Sequence, residues 1–189
     1  MDRRVAQEAV FQDLHTWGAD LLENFKERVG EANANALILD GFVKVAKGNT
    51  FNYVALGREG RKQIGLTPNH TVEPSAAARH IMRRQAKAQL EQLGMTYVGA
   101  EDRVLRRFTD SDDNVFFLAV SVKPNTAGYT ARAVRRLLSR YQRLLFKTRG
   151  VLIVATPHPG RLARTVAKHE PYVKTLKIDG SIRKVGKGS

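Results

Sequence analysis

The residues best placed to do chemistry are cations. Arg132, Arg136, Arg143 and Lys147 recur along one side of a helical repeat, Arg135 and Arg140 flank them, and no carboxylate interrupts the stretch from Ala127 to Arg149. A solvated helix face normally mixes charge signs, because opposite charges three or four residues apart stabilise it. An unmixed ridge suits a row of phosphates, which guanidinium groups grip with paired N–H donors and lysine meets as a point charge. Arg132, Arg136, Arg140, Arg143 and Lys147 are therefore the expected phosphate ridge. A second set is polar. Asn33 and Asn35 lie in a helix-forming run, and an Asn amide bonds adenine through both its donor and its acceptor. These two are the expected base contacts. Lys44, Lys47, Asn49, Arg58, Arg61 and Lys62 follow and are the expected contacts to the DNA backbone.

Other chemistries lack their residues. Cysteine is absent and the five His are scattered, so no zinc cluster is formed. The segment from Gly57 to Lys62 lacks P-loop spacing, and no Gly-x-Ser-x-Gly elbow occurs. His80 lies beside an apolar helical face, where a histidine is ordinarily structural. The expectation is no catalytic set, no metal and no cofactor.

The bulk numbers agree with a polyanion partner. The net charge is +14 over 189 residues, and 42% of residues are hydrophobic, enough for a core in one large domain or two small ones. The charge is uneven. Residues 1–66 hold nine Lys/Arg and nine Asp/Glu, whereas residues 67–189 hold twenty-three against nine, which is the whole excess. Within residues 1–40 acids outnumber bases eight to four, an unusual balance beside DNA. No apolar run reaches the roughly 18 residues of a membrane span, and the first residues hold no signal-peptide core. With cysteine absent, the expected setting is the cytoplasm, in association with the nucleoid.

Val5, Ala9, Val10, Leu14 and Trp17 fall at helical spacing and predict a first helix over 3–17. Gly18 stops it, and Asp20 with Glu23 has the form of a capping box for a second helix, ending near Gly30. A third helix covers 31–40. Two alternating runs, Phe42–Ala46 and Thr50–Leu56, flank Lys47-Gly48-Asn49, a turn whose Gly and Asn tolerate positive φ. Residues 68–74 have the composition of a linker. A helix is predicted over 75–93, with Ala78, Ile81, Met82, Ala86, Leu90 and Leu93 buried. Strands follow at 96–99, 103–108 and 115–123, the last nearly all apolar, as a central strand would be. The helix over 129–148 carries the stripe Val134, Leu137, Leu138, Tyr141, Leu144 and Leu145. A strand at 151–156 completes a parallel βαβ unit. A short basic helix over 161–169, a strand at 172–178 and a basic tail over 180–189 end the chain.

Asp40-Gly41-Phe42-Val43 and Tyr53-Val54-Ala55-Leu56-Gly57-Arg58-Glu59-Gly60 resemble the winged helix-turn-helix signature in which a hairpin follows the recognition helix. The order of a helix, strands and βαβ unit after such a module is similar to the plasmid and phage replication-relaxation proteins, which join a winged helix to a restriction-endonuclease-like core. Ala78-Arg79-His80-Ile81-Met82 and Phe117-Leu118-Ala119-Val120-Ser121 echo their motifs. That resemblance implies DNA as partner. A nuclease of that class holds Mg²⁺ between an Asp on one strand and Asp/Glu-x-Lys on the next. Lys123 is present here, but Ser121 stands at the acid's position, leaving Asp110, Asp112 and Asp113 as possible first-strand acids.

The resulting expectation is a two-domain α+β protein: a winged helix over 1–67, a linker over 68–74, and a small basic α/β domain over 75–179 that is nuclease-like but non-catalytic. Its expected function is double-stranded DNA binding in the regulation of transcription or replication, in a bacterium, phage or plasmid. The alternatives are a sequence-independent DNA-bridging protein and a metal-dependent nuclease with an atypical site. A homodimer is expected through Val10, Phe11, Leu14 and Trp17, whose apolar surface exceeds the needs of a three-helix module.

Overall fold

The computed structural model describes residues 3–48, 51–120 and 130–178. Among these residues the chain is mixed α/β, with seven α-helices and two sheets. It divides into two compact units, the first running to Ile81 and the second spanning Met82–Gly180. Asn49, Ser121, Lys123 and the basic tail lie outside the described residues.

The first unit runs α1 (Arg3–Trp17), β1 (Ala19–Leu21), α2 (Leu22–Val29), α3 (Glu31–Leu39), β2 (Val43–Lys47), β3 (Asn52–Leu56) and α4 (Arg58–Gln63), then enters α5 (Pro74–Gln92). Its antiparallel sheet has the order β1-β3-β2. β1 was not expected, because three residues are too short to show a period. Its presence removes the capping box. Asp20 is paired across from Val54, and its buried carboxylate accepts from the Leu21 N–H and from Arg28 at 2.8 Å. Arg28 also reaches Asp13 at 2.8 Å.

Phe11, Leu14, Phe25, Ala34, Leu37, Val43, Val54 and Leu56 form this unit's core, and Phe11 stacks on Phe42 with ring centroids 5.4 Å apart. The expected dimer face is corrected by that packing. Phe11, Leu14 and Trp17 are each no more than 3% exposed, and Val10 packs partly against the core. The apolar surplus of α1 is spent inside the chain, where β1 and the hairpin supply surface that a bare three-helix module lacks. α4 is held equally close. A Cβ on Gly57 would stand 2.3 Å from the Gly41 carbonyl oxygen, and one on Gly60 2.3 Å from that of Phe42. This Gly-x-x-Gly spacing is a packing device. Residues after α4 are tied back: Arg61 Nε donates to the Thr67 carbonyl at 2.5 Å and Tyr53 Oη to that of Val72 at 2.6 Å. The division between units falls later, within α5. His80 on α5 lies where a side chain on Gly18 would collide with its ring, a structural placement.

The second unit continues from α5 through β4 (Thr96–Ala100), β5 (Leu105–Thr109), β6 (Val115–Val120), α6 (Ala131–Thr148), β7 (Val151–Thr156), a 3₁₀ turn (Pro159–Leu162), α7 (Ala163–Lys168) and β8 (Val173–Lys177). One sheet has the order β4-β5-β6-β7-β8. β4, β5 and β6 are antiparallel, and β6, β7 and β8 are parallel. β6 and β7 are buried along almost their whole length, which accounts for their unbroken apolar sequence. Leu105, Phe117, Ala119, Val134, Leu145, Leu152, Val154, Leu162 and Val173 pack together between this sheet and α6. Leu93 is a correction: α5 ends before it, and it is 66% exposed rather than buried.

Candidate nucleic-acid interface

The helix α6 is built to show one face to the core and another to solvent. Thr130 caps it, its hydroxyl accepting from the Ala133 N–H at 3.2 Å. Val134, Tyr141 and Leu145 are buried, with Leu137, Leu138 and Leu144 packed partly beside them. Arg132, Arg136, Arg143 and Lys147 are exposed. Among the described residues none of these four makes an ion pair. The helix ends on Arg149 in the left-handed conformation, its N–H returning to the Leu145 and Phe146 carbonyls.

Arg140 departs from the expected ridge. Sequence proximity shows no acid near it, but Asp102, from the turn between β4 and β5, reaches its guanidinium at 3.4 Å. The same carboxylate accepts from Tyr141 Oη at 2.6 Å and from the Val104 and Leu105 N–H groups at 2.7 and 2.8 Å. Burial alone would raise the Asp102 carboxyl. The bonds from Tyr141 and the two backbone groups, with the charge of Arg140, outweigh it and hold the acid below its usual range. Burial, and then the bond to Asp102, push the Tyr141 hydroxyl up to about 12. Asp102 thus tethers α6 to the sheet. Its role was illegible in the sequence, since its partners lie 38 and 39 residues away.

In the first unit the expected contacts divide. Asn35 is exposed on α3. Asn33 is exposed too, but its amide nitrogen donates to the Val29 carbonyl at 3.1 Å, closing the end of α2. Lys44, Lys47 and Arg58 are exposed. Arg61 is engaged with Thr67, and Lys62 pairs with Glu59 at 2.9 Å. Lys26 pairs with Glu31 at 2.9 Å and holds that acid below its usual range. Two apolar side chains were missed. Leu39 is 87% exposed one turn beyond Asn35, and Val45 is partly exposed on β2. The burial of Ala34 and Leu37 sets the phase of α3 that turns Leu39 outward, and the nearly continuous apolar run from Ala34 to Leu39 did not announce which face that would be.

The acids considered for a nuclease site do not converge. Thr109 faces Val115 and Leu105 faces Ala119, so Asp110, Asp112 and Asp113 lie at the start of β6. Val120, at the other end of β6, is roughly 16 Å further on. Asp110 organises its own turn, accepting from the Asp112 and Asn114 N–H groups and from the Asn114 amide. Among the described residues no three His, Asp or Glu side chains gather to hold a metal, and no helix is long and apolar enough to cross a membrane.

No family model matches the chain, and no curated protein does. A solved structure of EndoMS in its apo form is similar, with 14% identity and a TM-score of 0.38 over 71% of this chain and 64% of that one, less than two thirds of its length. In the face of this finding the expectation that the chain is not an enzyme is withdrawn. So distant a likeness assigns neither fold nor activity to this chain.

Proposed function

We propose that the chain binds double-stranded DNA. The observation that carries this is α6: Arg132, Arg136, Arg143 and Lys147 are exposed on one helix, outside any ion pair among the described residues. Solvated cations held in a fixed row release counterions from a phosphate backbone when they meet it. The order of elements in the first unit, with its β1-β3-β2 sheet, supports reading it as a winged helix. In that reading α3 turns Asn35 and Leu39 toward base edges, Leu39 suiting a thymine methyl group. Lys44 and Lys47 on the hairpin, with Arg58, meet the backbone. Regulation of transcription or replication is the role we infer, at the nucleoid. Reading a specific site calls for two copies about one helical turn apart, joined through a face other than Phe11, Leu14 and Trp17. The acid excess of residues 1–40 favours the second reading, a protein that bridges DNA with little regard to sequence.

A panel of random and selected duplexes, titrated across a salt series, tests this. Log affinity should fall linearly with log salt, by roughly 0.9 for each phosphate contact. Affinity that ignores salt, or no binding at low salt, would overturn the proposal. A preferred site separates the regulatory reading from the bridging one.

A further inference from the structure

Beside the cationic ridge, the second unit holds an open groove of about 460 Å³, within the range of about 300–1,000 Å³ common for small-molecule sites. Arg135, Leu138, Gln142 and Phe146 line it from α6, and His169 and Tyr172 from the segment before β8. Two rings stand exposed to solvent there, Phe146 at 82% and Tyr172 at 52%. The segment carrying Tyr172 is fixed from behind: its N–H donates to the His169 carbonyl at 2.9 Å, and its own carbonyl accepts from Leu152 on β7 at 2.8 Å.

The rotation of an α-helix places this groove. At about 100° per residue, Arg135, Gln142 and Phe146 fall roughly a quarter turn from the centre of the row Arg132, Arg136 and Arg143, on the side toward the core stripe. Phosphate contacts and an aromatic floor are therefore adjacent on one rigid helix. Among the described residues the lining holds no carboxylate, and Arg135 and His169 belong to it. An apolar peptide would gain nothing from that cationic frame, whereas a base carries its own phosphate.

We propose that this groove binds an unpaired nucleobase, stacked against Phe146 and Tyr172 while α6 holds the neighbouring phosphates. Every base has a π face, so the site tolerates sequence, and Gln142 is placed to bond a base edge. The inference rests on the DNA-binding reading and adds a preference for duplexes that end in, or open to, a single strand.

The test uses the full chain and three oligonucleotides: a blunt duplex, the same duplex with a short thymidine overhang, and that duplex with abasic sites in the overhang. The thymidine overhang should bind on the order of tenfold tighter than the abasic one. Phe146→Ala and Tyr172→Ala should each reduce that preference, leaving blunt-duplex affinity and the salt slope unchanged. Phe146→Tyr should restore it. Both residues are exposed, so the folded fraction by circular dichroism should match wild type. Equal affinity for thymidine and abasic overhangs, with blunt-duplex binding intact, would overturn this inference and spare the DNA-binding reading. Loss of binding to all three would remove both. A Phe146→Ala protein that changed its sedimentation profile but kept the overhang preference would make the groove a protein contact and overturn the proposal.

Discussion

Four cations of the first unit and the exposed row on α6 are put to different uses. Arg28 bridges Asp13 and Asp20, Lys26 meets Glu31, Lys62 meets Glu59, and Arg61 holds a backbone carbonyl. On α6, Arg140 alone is joined to an acid among the described residues, and Arg132, Arg136, Arg143 and Lys147 face water. Formal charge therefore misstates where a polyanion is gripped. A cation already held by a carboxylate has little left to exchange for a phosphate, so the pairing pattern matters more than the count.

The largest effect expected from this contrast is on binding. Replacing Arg136 and Arg143 with Ala should flatten the salt slope by about two units and weaken binding on all sequences alike. The melting temperature should hold, since both side chains are exposed. An unchanged slope would make α6 a plain solvated face and break the comparison.

Arg28→Ala should do the reverse. It removes the Arg28 pair of the buried Asp20 carboxylate, and the first unit should lose about 1–3 kcal/mol of stability in a denaturant titration. Salt dependence of DNA binding should not move. If the slope fell instead, the paired cations would be contributing to grip.

A third measurement separates the tether from the ridge. The Tyr141 hydroxyl is raised to about 12 in the folded chain, against about 10 when unfolded. The folded state therefore binds the proton more tightly. The contribution is complete below pH 10 and is lost as pH rises from about 10 to about 12. Asp102 behaves oppositely: its folded-state acid is lowered, so its contribution is present above the ordinary carboxylate range and is lost as pH falls through the folded value. Tyr141→Phe should lower stability at neutral pH and blunt the alkaline decline. An alkaline decline of full size in that variant would remove Tyr141 as its source.

The smallest effect belongs to Lys62. Its exposed pair with Glu59 is worth about 0.3–0.5 kcal/mol, so Lys62→Ala should leave both stability and salt slope close to wild type. Lys47→Ala, one exposed cation fewer, should flatten the slope by about one unit.

These distinctions mark the limit of what the sequence shows. The amphipathic stripe of α6, the apolar strands β6 and β7 and their parallel pairing follow from periodicity, because side chains of one element share its period. The hairpin between β2 and β3 follows from turn residues. What stayed hidden joins distant positions: Asp102 with Arg140 and Tyr141, Asp20 with Arg28, and the three-residue β1 against β3. The same gap led Phe11, Leu14 and Trp17 to be read as surplus surface, since nothing local announces the strand and hairpin that complete their core. In the interface, the ridge was visible as a run of one charge sign. The exposure of Leu39 and the groove beside Phe146 depend on packing that no single segment specifies.

The length of α6 has a consequence for the size of a DNA site. Arg132 and Lys147 stand fifteen positions apart on an unbroken helix, a separation of about 22 Å at 1.5 Å per residue. Laid along a duplex axis, that distance equals the rise of roughly six to seven base pairs at about 3.4 Å each. A fragment shorter than this leaves one end of the row beyond the last phosphate. If α6 binds DNA as proposed, the helix is a gauge, and the affinity of short duplexes should climb with length until the fragment spans it.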